Sequence, residues 1–132
     1  MIKSFKIFES KESHEEKIRD YFFEITDKGV DLNISCQELK NKYFITLDFD
    51  RGKEDLSIDD IEIIIGLIVR VKNIGEYEVR NVNIYYSDDI GYTEETIDID
   101  DSISNIRDFL IDTHCGYYDY GLRLFVNLKF NI

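Results

Sequence analysis

The stretch LSIDDIEIIIGLIVRVKNIG, residues 56–75, decides the fold. It is dominated by isoleucine, leucine and valine, and β-branched residues favour strands. A strand here would make the protein a β-rich structural module. The polar residues argue otherwise. Asp59, Glu62, Gly66, Arg70 and Asn73 recur at intervals of three, four, four and three, which draws a narrow polar stripe down a helix. Ser57 is placed as an N-cap and Gly75 as the residue that ends the last turn. The stretch is therefore expected to be a helix, buried almost all round.

Around it the periodicity is mostly that of strands. VDLNISC (30–36) alternates, with Val30, Leu32, Ile34 and Cys36 on one face. YFITLDF (43–49) alternates through Tyr43, Ile45, Leu47 and Phe49, and the short polar QELKNK between them predicts a hairpin. Cys36 then behaves as a buried small hydrophobe. YEVRNVNIYY (77–86) changes its apolar parity near Arg80 and Asn81, the mark of a bulge or a change of face. ETIDID (95–100) is a shorter strand, joined to it through SDDIGYT. In GLRLFVNLKFNI (121–132), Leu122, Leu124, Val126, Leu128, Phe130 and Ile132 form the clearest alternation in the chain.

KSFKIF (3–8) gives a first strand, and SHEEKIRDYFFEITDKG (13–29) a first helix. In that helix Ser13 and Glu16 fit a capping box, Ile18, Tyr21, Phe22 and Ile25 share one face, and Gly29 stops the run. A short helix capped by Ser102 carries Ile103, Ile106, Phe109 and Leu110. The expected fold is a single α+β domain over residues 1–132: a mostly antiparallel sheet of about six strands with about three helices packed on one face.

Charge is the most informative feature for function. The net charge is −12, and it is concentrated. Between Tyr86 and Tyr120 ten carboxylates face Arg107 alone, which places −9 of that charge in about a quarter of the chain. Such a surface repels nucleic acid and anionic membrane, because phosphate binding needs cations that replace counterions. It attracts a basic partner and speeds their encounter. No apolar run approaches the roughly 20 residues a bilayer span needs, and the opening residues do not read as a signal peptide. A cytoplasmic protein is expected, with Cys36 and Cys115 as thiols.

The candidate chemistries are weak. His14, Cys36, His114 and Cys115 number the four ligands of a structural zinc, but none has ligand spacing. In THCGYYDYG (113–121) the acids around Cys115 would raise its pKa, against a nucleophilic Cys–His pair. That stretch reads as a helix exit before the last strand. DFDRGKED (48–55) begins like a calcium loop, but Lys53 replaces the turn glycine. DIDD (98–101) has two carboxylates that suit magnesium. Asp31 with ELK (38–40) superficially matches the acids and lysine of a metal-dependent nuclease, yet no basic groove accompanies them. No glycine-rich phosphate loop or Gly-x-Ser-x-Gly elbow occurs.

What remains is a set of acids interleaved with tyrosines. Tyr85, Tyr86, Asp88, Asp89, Tyr92, Glu94, Glu95, Asp98 and Asp100 are the expected partner-binding residues. Tyrosine buries much area and keeps a polar tip, which suits interfaces. The expectation is a small inhibitor, without cofactor or metal, that occludes a basic protein. The target would be a nuclease toxin, making this an immunity protein, or a nucleic-acid-binding defence complex blocked by a phage-type mimic of DNA charge. The alternatives are a divalent-metal-binding domain or small enzyme using the acidic loops, and a purely solubilising acidic face.

Overall fold

The computed structural model describes residues 11–40, 42–52, 56–88, 91–99, 108 and 120–130. Two helical segments come first, α1 (Lys11–Tyr21) and α2 (Phe23–Thr26), followed by strands β1 (Asp31–Leu39) and β2 (Lys42–Asp50). Helix α3 (Ile58–Ile74) leads to β3 (Tyr77–Asp88), β4 (Gly91–Ile97) and β5 (Tyr120–Phe130). The five strands form one sheet in the order β1-β2-β5-β3-β4, and every neighbouring pair is antiparallel. The fold is α+β. The expected strand at 3–8 and most of the helix at 102–110 lie outside the described residues.

Residues 56–75 are a helix. Ser57 Oγ accepts the Asp60 N–H at 3.0 Å, and the Asp60 carboxylate accepts the Ser57 N–H at 3.0 Å. This is a reciprocal capping box with aspartate at its third position. At the other end Gly75 takes φ 87°, a left-handed conformation that suits glycine, and donates its N–H to the Val71 carbonyl. Ile61, Ile64, Ile65, Leu67, Ile68 and Val71 are buried, while Asp59, Arg70 and Asn73 of the polar stripe are exposed. Periodicity prevails over β-propensity because this helix buries most of its circumference.

Helix α3 links β2 to β3, which run in the same direction with β5 inserted between them. Parallel strands require such a crossover. Leu32 of β1, Ile45, Leu47 and Phe49 of β2, Val82 and Ile84 of β3, and Leu124, Val126 and Leu128 of β5 are buried on the helix side of the sheet. They form one core with Ile18, Phe22 and Ile25 of the first helical segments and the inner face of α3. The pairings Leu32↔Phe49, Ile34↔Leu47 and Cys36↔Ile45 bear out the alternation expected for the first hairpin.

Several expectations are corrected in detail. Ser13 is not a cap: the helix already runs from Lys11. It breaks at Phe22 (φ −107°, ψ 15°), where that buried ring anchors the chain, and Gly29 ends the region at φ 94°. QELKNK is mostly strand, since Leu39 pairs with Lys42 across a two-residue turn with Lys40 at φ 52°. The second hairpin is also tighter than expected: Asp88 pairs with Gly91, and β4 ends at Ile97 rather than Asp100. Cys36 is half-buried, because on β1, the outermost strand on that side among the described residues, the cover thins beyond Leu32. The parity change near Arg80 is a true bulge, seen as a register shift between Val79 and Asn81 against β5. No helix among the described residues is long and apolar enough to cross a membrane.

Candidate functional site

The described acids and tyrosines of this set fall on or next to the β3–β4 hairpin, with β4 the outermost strand of the sheet among the described residues. Strand alternation puts Asn83, Tyr85, Glu94 and Thr96 on the face opposite the helices. Tyr85 pairs with Glu94 and Asn83 with Thr96 across the ladder. Glu94 is exposed and accepts a hydrogen bond from Asn83 Nδ2 at 2.8 Å, and Thr96 Oγ1 donates to Asn83 Oδ1 at 2.9 Å. The Tyr85 ring stands edge-on to Phe125 of β5, with centroids 4.7 Å apart. Its phenol is hydrogen-bonded to Glu94. The result is a propped aromatic ring whose polar tip is tied to an exposed carboxylate.

The other expected residues are placed by the backbone. Tyr86 pairs with Thr93, Ser87 with Tyr92, Asp88 with Gly91, and Ile84 with Glu95. Asp98 is exposed just beyond β4. Asp89 and Asp100 lie outside the described residues, as do His114, Cys115 and the tyrosines that follow them up to Tyr118. Reading the sequence missed Phe125 and Asn83, the residues that support the patch. Their signal was available: both occupy polar-side positions of alternating strands, where a phenylalanine is out of place unless something packs on it.

The hydrogen bond to Glu94 is the chief cause that raises the Tyr85 phenol above the ordinary tyrosine value, with desolvation and the carboxylate's charge adding to it. Spectrophotometric titration of the phenols should therefore show late ionisation, part of which moves back toward the ordinary range in Glu94→Gln. A titration unchanged by that substitution would mean the pair does not persist in solution.

Of the competing chemistries, Asp100 and Asp101 of DIDD, residues 53–55 of DFDRGKED and the His114–Cys115 pair lie outside the described residues. Asp48 and Asp50 lie within β2, and Asp50 Oδ1 accepts the Gly52 N–H at 2.8 Å, closing a turn rather than opening a calcium loop. Asp31 and Glu38 stand near opposite ends of β1, roughly 23 Å apart at strand rise, too far to share a metal. His14 is buried among the rings of Tyr43, Tyr77 and Phe130. Among the described residues no three His, Cys, Asp or Glu side chains gather in a way that could hold a metal ion.

A second titratable group, unforeseen from the sequence, lies where α1 meets the start of β3. Lys17 pairs with Glu76 at 3.3 Å, and His14 and Tyr77 share a 2.8 Å hydrogen bond. Burial, then the charge and hydrogen bonding of Glu76, raise the Tyr21 phenol. These contacts tie α1 to the sheet. Comparison with protein-family models, curated proteins and solved structures finds no match.

Proposed function

We propose that this protein is a small acidic inhibitor that binds a basic protein and occludes its cationic groove, as an immunity protein covers a nuclease toxin or a phage-type mimic of DNA charge blocks a defence complex. The observation that carries this reading is the Tyr85–Glu94 patch on the outer face of the β3–β4 hairpin. A rigid, propped tyrosine binds at small entropic cost, and carboxylates beside it pair with arginine and lysine. The concentration of charge along residues 86–120 supplies long-range attraction, and the partner's phosphate-binding groove supplies the complementary surface.

Capture from a lysate of the native cell, with the whole chain as bait, tests the proposal. The expected catch is a basic nucleic-acid-binding protein that a soluble polyanion displaces. The double variant Glu94→Lys, Glu95→Lys should associate more slowly and with a flatter dependence on salt. If that variant captures the same protein as fast as the parent at low salt, the acids only solubilise the chain.

A further inference from the structure

The bulge in β3 creates a feature opposite in character to the rest of the molecule. Here the outer face of the sheet holds a recess of about 240 Å³ lined by Phe44, Thr46, Arg80, Asn81 and Asn127, with Ile45 and Leu128 beneath. The extra residue of a bulge re-aims a side chain, and in this strand Arg80 lies at the register shift. Its guanidinium carbon lies 5.4 Å from the centroid of the Phe44 ring. A guanidinium over an aromatic ring interacts through its charge and keeps N–H donors available for an acceptor. Among the described residues no carboxylate forms an ion pair with Arg80, in a protein where acids outnumber bases 28 to 16.

The neighbouring amide is already oriented. Thr46 Oγ1 donates to Asn127 Oδ1 at 3.1 Å, so the acceptor end of that amide is occupied and its NH2 is the end left to donate. Thr46 spends its proton on this bond. Asn127 and Asn81 are cross-strand partners, so a second amide flanks the first. Charged positions flanking the recess along the face include Lys42 and Asp48, two residues before Phe44 and two beyond Thr46 on β2, and Lys129, whose Nζ lies 3.9 Å from Glu78.

We infer that this recess is an anion site, and that its ligand is a compact carboxylate. The carboxylate lies in the plane of the guanidinium and takes two parallel N–H bonds from Arg80, with the Asn127 amide donating from the side. A planar acceptor matches that fork, and bidentate pairing is the strong form of the interaction. The chemistry is shared by a free small acid and by the side chain of a glutamate in another protein. The site is separate from the Tyr85–Glu94 patch and does not depend on the inhibitor reading.

The test is a nuclear magnetic resonance titration of the full chain at fixed ionic strength with propionate, with N-acetylglutamate methylamide and with inorganic phosphate. Saturable shifts centred on Arg80, Asn81 and Asn127 are expected with both carboxylates. Tighter binding of the blocked glutamate assigns a protein side chain, and equal or weaker binding assigns a free acid. Arg80→Gln should weaken binding about ten- to a hundredfold, the range of a lost charge-assisted hydrogen bond. Asn127→Asp keeps the acceptor for Thr46 and the size of the side chain, yet should abolish binding by presenting a negative charge. Both positions are on the outer face, and an unchanged melting temperature verifies the fold. Tighter binding of phosphate than of either carboxylate overturns the assignment, as does any carboxylate response that survives Asn127→Asp.

Discussion

Replacing Asp60 with alanine should lower the free energy of unfolding by about 3–5 kcal/mol, the cost of leaving one member of a buried ion pair without its partner. Only 7% of the Asp60 side chain is exposed. Its two oxygens accept from Arg51 Nε at 2.6 Å and Nη2 at 2.8 Å, the bidentate form. Arg51 directly follows β2 and Asp60 lies in the first turn of α3, so the pair fixes the angle at which the chain leaves the sheet for its crossover. The same carboxylate completes the capping box with Ser57. Arg51 is 24% exposed and can rehydrate in part, which places the expected loss toward the lower end of that range.

The pH dependence has a definite sign. The Arg51 hydrogen bond is the chief cause that lowers the Asp60 carboxyl below its ordinary 3.8, against a smaller opposing effect of burial. A folded pKa below the unfolded one means stability that is fully present above 3.8 and is lost as the pH falls toward the lowered value. Urea denaturation from neutral pH down to about 3 should show that acid loss in the parent, and a flatter acid limb in Asp60→Asn. A neutral-pH cost below about 1 kcal/mol for Asp60→Ala would place this pair among those that contribute nothing measurable.

Asp60 also illustrates how far local pattern reaches. Ser57, Gly75 and the polar stripe make α3 legible, because each reports on the helix itself. The bulge at Arg80 is legible for the same reason, as a change of parity within one strand. That Arg51 pairs with Asp60 is not, since an arginine after a strand and an acid in a first turn are each ordinary alone. Sheet order lies further out of reach. The strong alternation of β5 suits a strand paired on both sides, yet nothing local places it between β2 and β3. The acids and tyrosines of the hairpin were legible as a composition. Their arrangement was not, because Tyr85 is propped by Phe125, forty positions away in sequence and adjacent across the sheet.

A longer-range dependence of this kind involves His14 and Tyr77, and it makes the second strong prediction. Both are buried, at 0% and 1% exposure, and they share a 2.8 Å hydrogen bond between Nδ1 and the phenol across 63 positions of sequence. The Tyr77 ring also packs against Tyr21 of α1 and Phe130 at the end of β5. One side chain thus joins the first helix, the start of β3 and the end of β5. Tyr77→Ala should cost about 3–5 kcal/mol, as for other buried aromatic truncations. Tyr77→Phe keeps the ring and removes the hydroxyl, so it isolates the polar share, expected at about 1–3 kcal/mol because a buried imidazole nitrogen loses that bond. A double-mutant cycle with His14→Leu checks the assignment: if the two groups act through each other, Tyr77→Phe should cost much less once His14 is gone. Equal costs in the two backgrounds would mean that the hydroxyl stabilises the fold through a contact other than the one with the histidine.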